Sequence, residues 1–299
     1  MGLLGSSDLC IHPLGFGCMS LNAKQEGAES LLLHAVDQGV NFFDTADLYD
    51  QGRNEVLVGK AFSSVRKQLY LSSKVGNEWR PDGSGWDWNP SKDYLIKAVE
   101  NSLKRLKTDY LDLCLLHGGT IEDPIDEVIE AFDFLVQSGK IRYYGLSSIR
   151  PNVIRAFLDK SKMVALMLPY SILDTRAEEQ IFDWLQTSNV SAILRGTTAQ
   201  GHLLKGEGDS YLGYSSQEVV EIQHKLKEWA NQYGGHPLSL ILRFALQPEV
   251  VKGLVLGMRT PTHLQEAVTA FHSEIYKSFD WNLLKAHLHT QTFEAHRLS

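Results

Sequence analysis

The sequence reads AESLLLHAVDQGVNFFDTADLY from Ala28 to Tyr49, and this stretch joins a helix-like segment to a strand-like one. Residues 28–38 place leucine, alanine and valine side chains on one helical face, and Gly39 is the glycine that commonly follows a helix end. The apolar run Val40–Asp44 then ends in a carboxylate, and the phenol of Tyr49 follows soon after it. A helix, a glycine and a short apolar strand with polar groups at its end are typical of an α/β fold.

This alternation continues along the chain. Short apolar segments are predicted to be eight strands: Leu14–Cys18, Val40–Asp44, Leu69–Lys74, Leu111–Leu116, Arg142–Leu146, Val164–Leu168, Ser191–Arg195 and Gly253–Leu256. Segments with apolar residues at helical spacing are predicted to be helices: Ala28–Gln38, Ser91–Leu106, Ile125–Ser138, Pro151–Lys160, Ala177–Thr187, Ser216–Tyr233, Leu238–Leu246 and Pro261–Phe271. Nearly continuous apolar strands between amphipathic helices indicate parallel strands covered by helices. We therefore predict an α/β protein with the (β/α)8 TIM barrel fold.

We expect one domain over residues 1–299, because no tract rich in proline, glycine and serine divides the chain. The first residues predict a short N-terminal β-hairpin, and residues 272–299 are expected to form a partly helical C-terminal tail. Two connections are long, Gly76–Pro90 and Gly196–Ser215, and both follow predicted strands. Barrels place substrate specificity in such loops at the carboxyl ends of their strands.

Composition argues against several classes of function. A formal net charge of -7 makes a nucleic-acid partner improbable, because such proteins carry a basic face. The three cysteines have no CxxC spacing, so we predict neither a disulfide framework nor a metal site. No apolar stretch approaches the ~18 residues of a membrane span, so we expect no membrane partner and a cytoplasmic protein. The acidic charge is compatible with a monomer or a small homo-oligomer.

Four chemically active side chains follow the ends of three predicted strands. Asp44 ends the first of these strands and Tyr49 follows it, Lys74 ends the next, and His117 comes directly after Leu111–Leu116. The carboxyl ends of barrel strands lie on one rim, where barrel enzymes build their active sites. We therefore expect these four groups to converge at that rim.

The four groups together suit proton transfer to a carbonyl oxygen. A tyrosine is a weak acid, but an ammonium ion at Lys74 would stabilise the phenolate of Tyr49. Asp44 would hold Lys74 charged in an ion pair, and a neutral His117 would donate a hydrogen bond to the carbonyl oxygen. The set therefore predicts an acid catalyst in an environment that stabilises developing negative charge.

Two longer motifs resemble the signatures of the aldo-keto reductases, as found in bacterial members. Residues 39–59, GVNFFDTADLYDQGRNEVLVG, resemble the first signature of that family. Residues 99–112, VENSLKRLKTDYLD, resemble the second signature, which leads into the strand before His117. The similarity covers nearly the whole chain, from Leu14 to Arg259.

This resemblance implies a reaction and a set of catalytic residues. The family transfers a hydride from a reduced nicotinamide to an aldehyde or ketone without a metal, so the expected substrate is a small carbonyl compound. The family's catalytic tetrad matches Asp44, Tyr49, Lys74 and His117, with Tyr49 as the proton donor. By resemblance, the chain is therefore an NADPH-dependent aldo-keto reductase.

The resemblance also implies an extended NADPH across the barrel rim rather than a Rossmann site, since the Gly15-Phe16-Gly17 run lacks a third glycine. The positions that match the family's cofactor site are Gly17, Met19, Asp44, Ser147, Ser148, Met167, Arg195, Gly257, Arg259 and His263. Arg259 lies just before the helix that begins near Pro261, and helix N-termini favour phosphate. A 2′-phosphate bound there would select NADPH over NADH.

Several of these positions depart from the family's pattern. Ser148 replaces an asparagine, Met167 replaces a glutamine, and Arg195 replaces the aromatic residue that stacks on the nicotinamide. Near the adenine, His263 and Ala267 replace a glutamine and an asparagine. These changes remove polar and stacking contacts to the cofactor but leave the four proton-transfer groups intact.

Two other functions remain open from the sequence. Lys74 could form a Schiff base with a carbonyl substrate, as aldolase-type lyases do, although Asp44 would keep its amine protonated. The chain could instead be a non-enzymatic, nicotinamide-binding regulatory subunit on the same barrel. The first alternative requires a neutral lysine, and the second requires cofactor binding without turnover.

The nature of the carbonyl substrate is also open. Three tryptophans lie in the long connection after the third predicted strand: Trp79, Trp86 and Trp88. They would either form an aromatic wall for an apolar substrate or pack their own loop onto the barrel. Arg195 would instead attract an anionic substrate.

Overall fold

The computed structural model describes residues 2–206, 208–274, 277 and 279–298, and its centre is a closed barrel of eight parallel strands. The strands in chain order are β1 Gly2–Leu3, β2 Cys10–Ile11, β3 Leu14–Gly17, β4 Phe42–Asp44, β5 Tyr70–Val75, β6 Asn77–Trp79, β7 Trp86–Trp88, β8 Leu111–Leu116, β9 Ile141–Ser147, β10 Ala165–Pro169, β11 Ser191–Arg195 and β12 Val251–Leu256. The barrel consists of β3, β4, β5, β8, β9, β10, β11 and β12 in that order, and β12 closes against β3. The predicted (β/α)8 TIM barrel is therefore confirmed.

Strand residues alternate between two apolar layers, because successive side chains of a strand point to opposite faces. In β8, Leu113 and Leu115 belong to a buried cluster inside the barrel, whereas Cys114 and Leu116 pack in the layer beneath the helices. Both faces of the barrel wall are buried, which explains why its strands are almost continuously apolar. Parallel pairing also brings the carboxyl ends of all barrel strands to one rim.

Helices surround this barrel. They are α1 Ala28–Asp37, α2 Arg53–Phe62, α3 Lys92–Leu106, α4 Ile125–Gln137, α5 Pro151–Lys160, α6 Ile181–Gln186, α7 Ser216–Gln232, α8 Pro237–Ala245, α9 Pro261–His272 and α10 Trp281–Lys285. Most predicted helices agree with these within a residue or two. The predicted helix Ala177–Thr187 is divided, however, into a 3₁₀ turn at Arg176–Glu179 and the short α6.

The sequence pattern missed α2, the helix between the second and third barrel strands. Its apolar period is interrupted because Asn54 and Glu55 are buried, with exposures of 1% and 0%. Asn54 donates hydrogen bonds to the carbonyl oxygens of Cys18 and Leu21, both at 2.9 Å. Tertiary hydrogen bonds thus occupy positions where an amphipathic helix would carry apolar side chains.

The N-terminal β-hairpin is confirmed, since β1 and β2 pair antiparallel with Gly2 opposite Ile11. Leu4, Leu9 and Ile11 are fully buried in the cluster inside the barrel. The hairpin therefore covers the amino-terminal end of the barrel, opposite the rim that carries the four polar groups.

Two segments outside the barrel bear on the site. The connection Gly76–Pro90 contains an antiparallel hairpin of β6 and β7, which the sequence pattern had not indicated. At the other end of the chain, Phe279, Leu284 and Phe293 are buried against the barrel helices. Within the described ranges, no helix has both the length and the apolar composition needed to cross a membrane.

Replacement of Gly59 by alanine tests the packing of α2 on α3. Alanine normally stabilises a helix by about 1 kcal/mol relative to glycine. At Gly59, however, an added Cβ would lie only 2.5 Å from the carbonyl carbon of Leu106, and backbone cannot yield easily. We expect Gly59→Ala to lower the free energy of unfolding by about 1–3 kcal/mol, measured by urea denaturation.

The matched control for this change is Lys60→Ala, on the next residue of the same helix. Lys60 is exposed and its amine forms a surface ion pair with Glu29, so its loss should change stability by less than about 0.5 kcal/mol. A Gly59→Ala protein as stable as the unmodified chain would contradict the close contact between the two helices.

Candidate active site

The four predicted catalytic residues all lie at the carboxyl rim of the barrel. Asp44 ends β4, Lys74 is the penultimate residue of β5, and His117 follows β8 directly. Tyr49 begins a 3₁₀ turn after β4. The rim is therefore the place where the fold gathers all four residues, as the sequence predicted.

Backbone hydrogen bonds extend beyond the strands and position these residues. The N–H of Thr45 donates to the carbonyl oxygen of Ser72 at 2.9 Å, and that of Asp47 donates to Lys74 at 3.1 Å. On the other side of β5, the N–H of His117 donates to the carbonyl oxygen of Val75 at 2.8 Å. The segments that carry Tyr49 and His117 are thus both held against β5.

A buried ion pair lies at the centre of the site. Lys74 Nζ is 2.5 Å from Asp44 Oδ2, and the two residues are 1% and 3% exposed. The ammonium also donates to the carbonyl oxygen of Thr45 at 2.9 Å and to Tyr49 Oη at 3.1 Å. These three acceptors use all three N–H donors of the ammonium ion.

The charges of this pair follow from burial and from each other. Burial disfavours the ammonium, but the Asp44 carboxylate and Tyr49 outweigh it and raise the pKa of Lys74. Burial raises the pKa of Asp44, and Lys74 is the main opposing influence. We conclude that Lys74 is a charged, firmly held hydrogen-bond donor rather than a free amine.

His117 completes the group and is electrically neutral. Its ring meets that of Tyr49 edge to face, with centroids 6.0 Å apart and planes at 84°. Burial, followed by the positive charges of Lys74 and Arg195, lowers the pKa of His117 to about 3. Its buried Nδ1 has no hydrogen-bond partner among the described residues. A neutral imidazole at the rim can donate a hydrogen bond to a carbonyl oxygen.

The residues predicted to bind the cofactor follow the other barrel strands around the same rim. Ser147 ends β9 and Ser148 follows it, Met167 lies in β10, and Arg195 ends β11. Gly257, Arg259 and His263 follow β12, while Gly17 ends β3, Met19 follows it, and Asp44 ends the neighbouring β4. Gly17 pairs with Asp44 in the sheet and lies close to Leu256 and Gly257. The predicted cofactor positions therefore form a continuous arc from the fifth barrel strand to the second.

Part of this arc suits an extended anionic ligand. Arg195 and Arg259 are both exposed on the rim, and Met19 has 68% of its surface exposed. Thr260 caps α9 by accepting a hydrogen bond from the N–H of His263 at 3.2 Å, so that the helix N-terminus lies beside Arg259. A helix N-terminus with an adjacent arginine favours a phosphate group.

Thr197 is a residue of this arc that the sequence reasoning missed. Its Oγ1 is buried after β11, and it has no hydrogen-bond partner among the described residues. A buried hydroxyl without a partner is uncommon, and a bound polar ligand would satisfy it. No periodicity or motif marks a lone threonine in a loop, so only the structure could identify it.

Two of the predicted cofactor contacts fall on side chains that are already buried or hydrogen-bonded within the protein. Met167 is fully buried in the cluster inside the barrel. Ser148 is 5% exposed, and its Oγ accepts a hydrogen bond from the N–H of Arg150 at 3.2 Å. Neither side chain projects freely from the rim, in contrast with Arg195 and Arg259.

The tryptophans of the Gly76–Pro90 connection do not form one wall. Trp88 packs closely on two glycines, since a Cβ at Gly76 or Gly118 would meet its ring at 2.6 Å or 3.4 Å. Its Nε1 donates to the carboxylate of Asp123 at 3.0 Å. Trp88 therefore fastens the β6–β7 hairpin beside Lys74 and His117, while Trp86 is 49% exposed.

The comparisons with known proteins agree with this geometry. The family model described as "Aldo/keto reductase family" matches residues 13–288. The chain is 41% identical over 303 aligned residues to the "Uncharacterized oxidoreductase YqkF" of Bacillus subtilis (strain 168), and the alignment covers 98% of both chains. This chain therefore belongs to the aldo/keto reductase family, and it is an oxidoreductase of the bacterial type that the motifs indicated.

Solved structures also support this assignment. The aldo-keto reductase AKR11C1 from Bacillus halodurans, in its holo form, superimposes with a TM-score of 0.92 at 42% identity, covering 99% of this chain and 98% of that one. An aldo/keto reductase from Klebsiella pneumoniae in complex with NADP and acetate gives a TM-score of 0.72 at 25% identity, with 88% and 87% coverage. Family membership supports reduction of carbonyl compounds as the general activity.

The depressed pKa of His117 predicts a dependence of stability on pH. The folded protein protonates this imidazole only near pH 3, whereas its ordinary pKa is 6.5. Between these values the unfolded chain binds more protons, so the free energy of unfolding must fall as the pH falls. We expect His117→Gln to reduce that fall, measured by urea denaturation at about pH 7 and about pH 4.5.

The control for this measurement is His34→Gln, which changes an exposed histidine on α1. It should retain the pH dependence of the unmodified chain. The assignment of a neutral, buried imidazole would be wrong if His117→Gln left the difference between the two pH values unchanged.

Proposed function

We propose that this chain reduces an aldehyde or ketone to an alcohol, with the hydride from NADPH and the proton from Tyr49. One observation carries the proposal: the ammonium of Lys74 contacts both the Asp44 carboxylate and Tyr49 Oη at the barrel rim. Family membership supports the general reaction. The contacts at the rim support the roles of the individual residues.

Tyr49 is the proton donor in this proposal because of the direction of its hydrogen bond to Lys74. The ammonium can only donate, so Tyr49 Oη is the acceptor in this contact. The phenolic hydrogen is consequently available to a substrate oxygen. When Tyr49 transfers this proton, the phenolate that remains is stabilised by the adjacent ammonium.

His117 orients the carbonyl group in the same proposal. Its neutral imidazole lies next to the ring of Tyr49, so one carbonyl oxygen can accept hydrogen bonds from both residues. Two donors on this oxygen stabilise the negative charge that develops as the carbonyl is reduced. A neutral donor also adds no further positive charge beside Lys74 and Arg195.

The arc of predicted cofactor residues completes the proposal. NADPH, when bound, supplies the hydride to the carbonyl carbon. Arg259 and the N-terminus of α9 would hold its 2′-phosphate, while Arg195 and Thr197 would contact the part nearer the barrel centre. The NADP complex of the relative from Klebsiella pneumoniae supports this choice of cofactor.

The lyase alternative is disfavoured by the state of Lys74. A Schiff base requires an unprotonated amine, whereas the contact with Asp44 raises the pKa of Lys74. The regulatory-subunit alternative is separated from the enzyme by experiment. Tight NADPH binding without oxidation across a broad panel of aldehydes and ketones would support that alternative instead.

Replacement of Tyr49 by phenylalanine tests the proton donor. The change removes one hydroxyl group and keeps the ring beside His117, so NADPH binding should be retained. We expect kcat for the best aldehyde of the panel to fall by roughly a hundred- to ten-thousand-fold, as when a general acid is lost. Turnover is followed by NADPH absorbance, and cofactor affinity by fluorescence titration.

The matched control is Tyr110→Phe, which removes a hydroxyl group immediately before β8, at the amino-terminal end of the barrel. Its kcat should remain within about twofold of the unmodified enzyme. Normal turnover by Tyr49→Phe would remove Tyr49 from the role of proton donor.

Replacement of Arg259 by alanine tests the cofactor preference. Loss of a charge-assisted hydrogen bond to phosphate costs about 1.5–3 kcal/mol, so the Kd for NADPH should rise roughly ten- to a hundredfold. The Kd for NADH, which lacks the 2′-phosphate, should change little. Arg155→Ala, on the outer face of α5, is the control and should affect neither cofactor. An equal loss of affinity for both cofactors would contradict the assigned contact.

A further inference from the structure

A cleft separate from the rim lies outside the barrel, behind the segment that carries Tyr49. It has a volume of about 410 Å³ and lies between the turn after β4, the β6–β7 hairpin and α3. The residues that matter for its chemistry are Asp47, Asn77, Trp79, Tyr94, Lys97 and Arg105. None of the four proposed catalytic residues lines it. The cleft is large enough for a small organic molecule.

Asp47 is the central feature of this cleft. It is only 7% exposed, and its Oδ1 has no hydrogen-bond partner among the described residues. The backbone N–H of Asp47 donates to the carbonyl oxygen of Lys74, which fixes the residue in place. A buried carboxylate is costly unless it is paired, so an unpaired one that lines a cleft indicates a missing cationic partner.

The nearest internal cation is already committed to another acid. Arg105 Nε donates to Glu55 Oε2 at 2.6 Å, and its Nη2 donates to Ser102. Ser73 Oγ donates to the other oxygen of Glu55 at 2.6 Å. Burial, followed by the nearby charge of Glu55, raises the pKa of Asp47 well above its usual range. Two buried acids therefore share one guanidinium, and within the described part of the chain the ionised form of Asp47 lacks a cation of its own.

The mouth of the cleft does not supply the missing charge. Arg80 forms an ion pair with Asp87 at 2.6 Å. Glu78 and Lys97 are both exposed and carry opposite charges. The charges at the mouth therefore cancel, and the ligand that the cleft attracts is determined by the buried Asp47 carboxyl, whose ionised form a bound cation would stabilise.

The walls of the cleft suit an organic cation. Trp79 and Tyr94 provide aromatic surfaces, and the hydroxyl of Tyr94 is already engaged, donating to the carbonyl oxygen of Asn77 at 2.9 Å. Trp79 Nε1 is buried and has no acceptor among the described residues. A carboxylate beside aromatic faces is an arrangement that binds ammonium ions, by an ion pair and by cation–π attraction.

We propose that this cleft binds a small organic ammonium ion that also carries an oxygen acceptor. The ammonium group donates to Asp47 Oδ1, and the oxygen atom accepts a hydrogen bond from Trp79 Nε1. The two unsatisfied polar atoms of the cleft thereby obtain partners of opposite hydrogen-bonding character. This site is separate from the rim that the proposed carbonyl reduction uses.

Two probes of the same shape test the charge requirement. Tyramine carries an ammonium group, an aromatic ring and a hydroxyl group, and tyrosol carries an uncharged hydroxyl group in place of the ammonium. We expect calorimetric titration of the full chain to show at least about tenfold tighter binding of tyramine than of tyrosol. Equal affinity for the two probes, or no binding of tyramine at millimolar concentration, would overturn the proposal.

Two variants then locate the site. Asp47→Asn keeps the shape and removes the charge, and should weaken tyramine binding by about tenfold or more. Trp79→Phe keeps an aromatic wall and removes the N–H donor, and should weaken it by a few fold. Asp37→Asn, an exposed acid at the end of α1 and not part of the cleft lining, is the control and should bind tyramine like the unmodified chain.

The remaining measurements separate this site from the rim and from unfolding. Saturation with NADP⁺ should leave tyramine affinity unchanged, and competition between the two would overturn the proposal by placing tyramine at the rim. Circular dichroism establishes whether Asp47→Asn is folded. If that variant fails to fold, the comparison of tyramine with tyrosol and the Trp79→Phe variant still test the proposed site. Unchanged tyramine affinity in Trp79→Phe would contradict the contact assigned to Trp79 Nε1.

Discussion

The buried ion pair between Lys74 and Asp44 is the constraint on which the rest of the site depends. Phe42 and Tyr70 pack with the cluster inside the barrel, so Asp44 and Lys74, which share their strand faces, also point inward. Each charge is acceptable there only because the other is within 2.5 Å. Removing one partner from such a pair typically costs about 3–5 kcal/mol, since a buried charge is left uncompensated. The same contact that secures two neighbouring strands therefore holds the ammonium against Tyr49.

The rim divides into two regions with different chemistry, and the charge of Arg195 in one region acts on the titratable groups of the other. The second, third and fourth barrel strands carry Asp44, Lys74 and His117, which are buried and connected by short contacts. The arc from the fifth strand to the first is more open and carries exposed arginines. The charge of Arg195 contributes to the lowered pKa of His117 and opposes the raised pKa of Asp44. A cation at the end of β11 thus influences the proton-transfer groups across the mouth of the barrel.

The sequence predicted correctly those helices and strands in which the spacing of apolar residues matches their burial in the fold. β8 and α5 were predicted to the residue, because their apolar spacing reflects burial and Pro151 marks the start of α5. The helix α2 was missed, since its buried Asn54 and Glu55 bond to distant segments rather than follow an apolar period. The burial of Thr197 and the packing of Trp88 against Gly118 depend on contacts between separate loops. Such contacts leave no trace in a window of neighbouring residues, whereas a strand that ends in an acid does.

Asp44 and Asp47 lie three residues apart and have the same side chain, but the fold gives their carboxyl groups different surroundings. Both are buried carboxylates, but Asp44 faces the barrel interior and receives an ammonium at 2.5 Å. Asp47 lies on the outer side of the wall near the buried Cys114, and the pKa of that thiol is raised by burial first and then by Asp47 and Glu55. There the available guanidinium is bound to Glu55. One carboxylate is thus completed by the chain itself, while the other requires either a proton or a cation from solution. Because a cleft with aromatic walls opens at the second carboxylate, the proposed organic cation would stabilise ionised Asp47, and its oxygen atom would give Trp79 Nε1 an acceptor that a proton on Asp47 does not supply.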